Sequence, residues 1–586
     1  MCGIAGFINL DGAPADPRVL EAMRDSVRHR GPDDRGTLCL ALRGSLIDTA
    51  LGFQRLKILD LSDRGHQPMT SADGSTALVF NGAIYNAFDH KVALERHGYR
   101  FRTATDTEVV LALYERHGLE PMLERLNGMF AIVIADTRRG VLHLVRDPAG
   151  IKPLYWTQCG TTLLFASEAK AFLAHPAFRP EIDPTEIDEV LAFRYVAGQT
   201  TLLKGVRLVQ PGHHLTITAD GICERRYWSI PEHSEKLRLS REDALDRLDQ
   251  LLDHSVQTQL RSDAPVGCQL SGGLDSSLVT IVASAHHSGD LNAFSIVFDE
   301  PTFSEERWIR TTAASAPAVS HQYVFDESAF MDALDAASWH MDQPISQPNS
   351  LALWWLGRRS REHATVLLTG EGADELFGGY ARFSIPEAEA ERFIHASQFH
   401  SEARLAKLRP AGDLRPATEK RRAIFQEGRA DHLSNCVRYE LRTHLVDLLI
   451  RQDKMAMAHG VETRVPFLDR ELIEFARALP AEHMVGPSGG KLVVKGLAAR
   501  RFDADFVHRR KSAFNLPLAQ YFRSRRFLEL MEDCLLPGMA ARGLVDVGIV
   551  RRWWRRALSA PSTTEAFWAP VALELWAQQF IDRHPN

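Results

Sequence analysis

The chain has 586 residues, too many for one hydrophobic core, so two to four domains are expected. Hydrophobic residues make up 45% and charged residues 25%, the balance of an ordinary soluble protein, and the formal net charge of -6 argues against a nucleic-acid partner. No apolar run approaches the roughly 18–20 residues that cross a bilayer, and seven dispersed cysteines without CxxC spacing speak against a disulfide framework or a zinc site and for a reducing, cytoplasmic setting.

The chain opens with MCGIAGF, which lacks the charged and apolar regions of a signal peptide. Removal of the initiator methionine, favoured by a small second side chain, would leave Cys2 with both a thiol and a free α-amino group. An amine of pKa near ~8 can accept a proton from a thiol near ~8.5, so one residue would carry nucleophile and base. The plainer alternative is that Cys2 is simply one cysteine of seven.

Short β-rich segments follow at 76–80, 130–136, 141–147 and 162–167, with helical periodicity over 106–117. Together they predict an α+β layered domain over residues 2–215. A polar stretch at 216–240 reads as a linker. The texture then changes to strand–loop–helix units at 264–286 and 364–380, with further strands at 291–299 and 321–325. That pattern predicts a parallel sheet with helices on both faces over 241–535, with ligands at the carboxyl ends of its strands. A helical tail is expected over 536–586; its RRWWRR segment (551–556) reads as a packing and snorkelling surface.

The segment SGGLDSS (271–277) follows a strand and opens a helix. Glycines there permit close backbone approach, and hydroxyls with amide N–H groups form an anion cradle. The Gly-Lys-Ser/Thr ending of a Walker A loop is absent. A loop that cradles the β- and γ-phosphates as a unit suits diphosphate release. The second strand-end loop, TGEGADELFGGY (369–380), carries Glu371 and Asp374. Two such loops bearing carboxylates point to a Mg²⁺–nucleotide site, although a plain turn and helix N-capping are alternative uses for them.

With both loops noted, the chain resembles the glutamine-hydrolysing asparagine synthetase family. The resemblance rests on MCGIAGF, HRGPDDRG (29–36), QRLKILDLSDRGHQPM (54–69), NGAIYN (81–86), TDTE (105–108), RDPAGIKPLYW (146–156) and FASEAK (165–170). In the second half it rests on LSGGLDSS, LLTGEGADELFGGY, DKMAMAHGVETRVPFLD (453–469) and Lys491 in GGKLVVKG. The resemblance implies an αββα class II glutaminase sandwich followed by an ATP-pyrophosphatase domain. It implies Cys2 as nucleophile, the Asn81 amide and Gly82 N–H as the oxyanion hole, Arg55 as the clamp on the glutamine α-carboxylate, and Asp106 as partner of the α-ammonium. ATP would be held by Leu270, Ser271, Gly272, Gly273, Asp275, Ser276, Ile296, Thr369 and Gly370, with Mg²⁺ on Asp275 and Asp374. Glu371 and Lys491 would serve formation of an acyl-adenylate. L-Glutamine, ATP and L-aspartate or another carboxylate are the implied small-molecule partners, and a homodimer is the implied assembly.

Two departures stand out. The family's usual NGEIYN reads NGAIYN, so Ala83 replaces a carboxylate near the glutamine amine. The segment DQPISQPNS (342–350) is less acidic than expected, which leaves the acceptor carboxylate open.

Overall fold

The computed structural model describes residues 2–42, 47–232, 235–428, 431–487, 489–509, 514–559 and 564–583. Residue 1, on which removal of the initiator methionine turns, lies outside them.

Alternation of side chains builds the first half. Along strand Gly3–Asn9, Ile4 and Ile8 enter a core shared with Val79 and Val133 of a second sheet. Ala5 and Phe7, on the opposite face, pack with Leu20 and Met23 of helix Pro17–Asp25. In the second sheet Leu78, Phe80 and Ile132 face outward onto helix Asp106–His117. The result is two six-stranded antiparallel sheets, face to face, with helices outside: an αββα sandwich.

The second sheet continues through strands His213–Thr218 and Gly221–Arg226, so it passes the boundary expected at residue 215. Main-chain pairing holds these residues in the sheet, although the last strand is largely solvent-facing and has little apolar alternation to announce it.

The second half is built on five parallel strands, in the order Ala318–Val324, Leu291–Val297, Val266–Gln269, Val366–Leu368, Glu462–Arg464. Helices flank the sheet, among them Leu274–His286 and His444–Met457. The terminal helices join the same core. Trp568 and Trp576 are fully buried, and their Nε1 groups donate to the carbonyls of Ile345 and Asp342 at 2.8 and 3.0 Å. Trp554 of the RRWWRR segment is buried in that core as well.

The halves meet through apolar and charged contacts together. Leu56, Ile58, Ala83 and Met129 from the sandwich share one cluster with Val266, Leu368 and Val465. Beside it, Arg30 bridges Glu168 and Asp453, at 2.8 Å each. Lys454 donates to Tyr155 at 2.9 Å and pairs with Asp342 at 3.0 Å, while Lys170 reaches the same Asp342 at 2.6 Å. All six ionic groups are buried, so each charge stays only because opposite charges and hydrogen bonds surround it.

Candidate active site

Cys2 sits at the head of the strand Gly3–Asn9. The pairing of Gly3 with Gln54 brings Arg55 beside it. Asn81 arrives from the facing sheet: the Cys2 backbone nitrogen donates to Asn81 Oδ1 at 2.8 Å. That bond orients the amide, and its Nδ2 is left without a hydrogen-bond partner among the described residues while fully buried. A buried, unpaired donor is costly unless something else uses it, and an oxyanion is such a user. A Cβ on Gly82 would lie 2.1 Å from the Met129 carbonyl oxygen, so only glycine fits the backbone position next to Asn81.

Arg55 is held from behind, where its guanidinium donates to the carbonyls of Ser62 at 2.8 Å and Asp60 at 2.6 Å. Asp106 opens helix Asp106–His117, capped by Thr105, and its Oδ2 accepts from the Ile84 N–H at 2.9 Å. Burial and then the nearby Glu462 charge push its carboxyl up to about 6, against the Ile84 bond. Burial also pushes the Cys2 thiol up, while the Leu56 N–H and the Arg55 cation pull it down. A thiol so placed stays protonated until a base takes its proton. Cys2, Arg55, Gly82 and Asp106 line one small cavity.

The second site forms at the carboxyl ends of the parallel strands. Gly272 has φ +83, and a Cβ there would strike Glu305. Gly273 caps helix Leu274–His286, its N–H donating to Ser271 Oγ at 3.1 Å; Ser271 and Ser276 hydroxyls lie 3.0 Å apart. A Cβ on Gly370 would sit 2.6 Å from the Ser276 nitrogen, so the two expected loops are in direct contact. The Thr369 hydroxyl accepts from the Glu371 N–H at 3.4 Å. Leu270 and Ile296 stand at the ends of neighbouring strands, both buried.

Lys491 lies across the two acids, 2.5 Å from Asp275 Oδ2 and 2.8 Å from Asp374 Oδ1, and both raise its pKa against burial. Asp275 Oδ1 is buried without a hydrogen-bond partner among the described residues. An orphaned carboxylate oxygen beside a second carboxylate is a hard-oxygen set that fits Mg²⁺. Glu371 pairs with Arg451 at 3.3 Å. Burial pushes its carboxyl up; Arg451 opposes this, and Asp374 and Asp275 add to it.

The structure thus brings Cys2, Arg55, Asn81, Gly82 and Asp106 together around one cavity, and Ser271, Asp275, Ser276, Gly370, Glu371, Asp374 and Lys491 together at the strand ends. Sequence reasoning missed Arg451, which also donates to Gln347 at 3.0 Å and Asn349 at 2.9 Å. It missed Glu462 and Arg464 too, which line the Cys2 cavity from the other half of the chain. The available signal was the charged residues interrupting the buried run 453–469.

An antiparallel αββα sandwich led by Cys2, joined to a parallel sheet that ends in a phosphate-type cradle, is the architecture of a glutamine amidotransferase domain fused to a nucleotide-dependent synthetase domain. The family comparisons agree. Residues 1–228 match the glutamine amidotransferase domain family, and residues 247–578 match the asparagine synthase family. The chain is 32% identical over 572 residues to asparagine synthetase [glutamine-hydrolyzing] 1 of Bacillus subtilis, covering 89% of this chain and 88% of that protein. It is 30% identical over 647 residues to a putative asparagine synthetase [glutamine-hydrolyzing] of Mycobacterium bovis, covering 99% and 98%. Among solved structures, a glutamine phosphoribosylpyrophosphate amidotransferase from B. subtilis matches at 17% identity and a TM-score of 0.30, over 55% of this chain and 81% of that one. This chain belongs to the glutamine-hydrolysing asparagine synthetase family and is an ATP-dependent carbon–nitrogen ligase. Among its described residues no helix is long and apolar enough to cross a membrane.

Proposed function

We propose that the chain is a glutamine-dependent asparagine synthetase, converting L-aspartate, ATP and L-glutamine to L-asparagine, AMP, diphosphate and L-glutamate. The Cys2 α-amino group takes the thiol proton as sulfur attacks the glutamine amide carbon. Negative charge on the amide oxygen meets the Asn81 Nδ2 and the Gly82 N–H. The proton returns to the leaving nitrogen as ammonia, and water then releases glutamate from the thioester. In the second site the aspartate β-carboxylate displaces diphosphate from ATP, and ammonia displaces AMP. Asp275 and Asp374 would hold Mg²⁺, which supplies charge neutralisation on the phosphates. Glu371 and Lys491 face the reacting groups, Lys491 offering positive charge where negative charge develops.

One observation carries this reading: a single three-residue strand adjoins both sites. Glu462 and Arg464 line the Cys2 cavity, while the Arg464 carbonyl accepts from the Thr369 N–H at 2.9 Å, next to the adenylation loop. Leu56 and Ile58, which line the Cys2 cavity, share one apolar cluster with Leu368, the residue before Thr369, and that shared cluster supports passage of neutral ammonia, away from water that would hydrolyse the adenylate.

A second reading, a different acceptor carboxylate, is favoured by a cavity of about 670 Å³ bordered by Gln347, Asn349, Phe303, Phe399 and Phe514. It begins at the amides held by Arg451 and is of the size that admits ligands much larger than aspartate. Glutamine-dependent diphosphate release, measured with aspartate and with a panel of larger carboxylic acids, tests both readings. Turnover with aspartate leading the panel supports the first; a larger acid leading it supports the second. No release with any acid defeats both.

A further inference from the structure

The Cys2 cavity contains an acid that the sandwich does not supply. Position 83 contributes only a methyl group to its lining. Glu462, on the edge strand of the other domain, lines the same cavity, buried and held in place. Its Oε1 accepts from Arg464 Nε at 2.7 Å, and Arg464 Nη1 is itself fixed by the carbonyls of Gln259 at 2.5 Å and Arg261 at 2.8 Å.

The cavity thus presents two cations, Arg55 and Arg464, and two acids, Asp106 and Glu462. An α-amino acid is a zwitterion, and its ammonium needs negative charge at a point away from the group that binds its carboxylate. Asp106 is a weak sole partner. One of its oxygens already accepts from Ile84, and burial leaves it titrating at about 6. Glu462 is different, for despite burial the positive charges around it, the chain's amino terminus first and then Arg464 and Lys152, hold it down to about 2.

We propose that Glu462, reaching in from the synthetase domain, is the second carboxylate for the α-ammonium of glutamine, a charge that Ala83 does not supply. This rests on the reading of the cavity as a glutamine site. The amine subsite is then assembled from both domains, and glutamine affinity depends on their docking.

The test compares glutamine with 5-amino-5-oxopentanoate, the same amide without the α-amino group, in a glutaminase assay. Glu462→Gln keeps an acceptor for Arg464 Nε and removes only the charge. It is expected to raise the KM for glutamine by about 10–100-fold with kcat nearly kept, and to leave the KM of the des-amino substrate unchanged. Adding Ala83→Glu to that variant should recover most of the lost affinity, which a merely structural role would not allow. Ammonia-dependent diphosphate release reports whether the variant is folded. If it is not, Glu462→Asp, which keeps the charge and shortens its reach, carries the same comparison.

Equal losses with both substrates would overturn the proposal and assign Glu462 to the Cys2 amine or to the architecture. An unchanged glutamine KM would overturn it as well. If wild-type protein releases no glutamate from glutamine, the glutaminase reading falls first, and this one with it.

Discussion

In the Cys2 pocket Asn81 is already turned, its Oδ1 engaged and its Nδ2 unpaired among the described residues, and Arg55 is braced by backbone carbonyls before any glutamine arrives. In the other site Lys491 lies across Asp275 and Asp374, the two acids that a Mg²⁺–nucleotide would need. The first site has its donors aimed in advance; the second has its charges paired with one another. Preorganisation suits the first, where the same oxyanion forms in every turnover. In the second, a buried ion pair spares two carboxylates an uncompensated charge until substrate brings its own cations. On the proposed reading, ammonia passes from a ready site to one that substrate must open.

The contrast can be broken by silencing each site in turn. Cys2→Ala is expected to lower glutamate release from glutamine by about 10⁴-fold or more, the scale of removing a nucleophile. Ammonia-dependent diphosphate release should continue, and loss of both activities would make Cys2 structural. Glu371→Gln removes a charge at nearly constant volume and should lower acceptor-dependent diphosphate release by about 10²–10³-fold. Glutamate release should persist. Wild-type diphosphate release from this variant would exclude the 369–380 loop from adenylation.

Arg55→Lys sharpens the contrast on the prepared side. A point charge cannot reproduce a braced, planar fork, so the KM for glutamine should rise about 10–100-fold while kcat with ammonia stays level. The smallest effect is one of pH. Asp106 titrates at about 6 and must be ionised to hold an ammonium, so the ratio of kcat/KM for glutamine to that for the des-amino substrate, in which the limb of the Cys2 amine cancels, should be flat above that pH. As pH drops through it, the protonated fraction grows and the ratio should fall by about tenfold per unit. The des-amino substrate should not follow that limb.

Much of this was legible in the sequence because it is local. The helix expected at 106–117 is observed as Asp106–His117, and the strand at 130–136 lies within Gly128–Asp136, since cap and periodicity suffice to define them. Cys2, Asn81, Asp275 and Glu371 sit in short sequence motifs whose residue types announce their chemistry. Strand Gly221–Arg226 was not legible: its side chains face solvent, and hydrogen bonds to His213–Thr218 decide its fate. Glu462 and Arg451 escaped for a different reason. Glu462 shares its cavity with Asp106, 356 positions earlier in the chain, and Arg451 pairs with Glu371, 80 positions earlier, and nothing near either residue in sequence records that placement.

The buried charges along the domain boundary bear on how this protein can be rearranged. Arg30, Glu168 and Lys170 come from one half, Asp342, Asp453 and Lys454 from the other, and neither set is neutral in its own half. Grafting the glutaminase of one relative onto the synthetase of another would strand unmatched ions in a dry seam. A working chimaera should therefore need these six residues, and Glu462 with them, to travel as a matched set, so that the two catalytic halves are inherited and engineered as one unit.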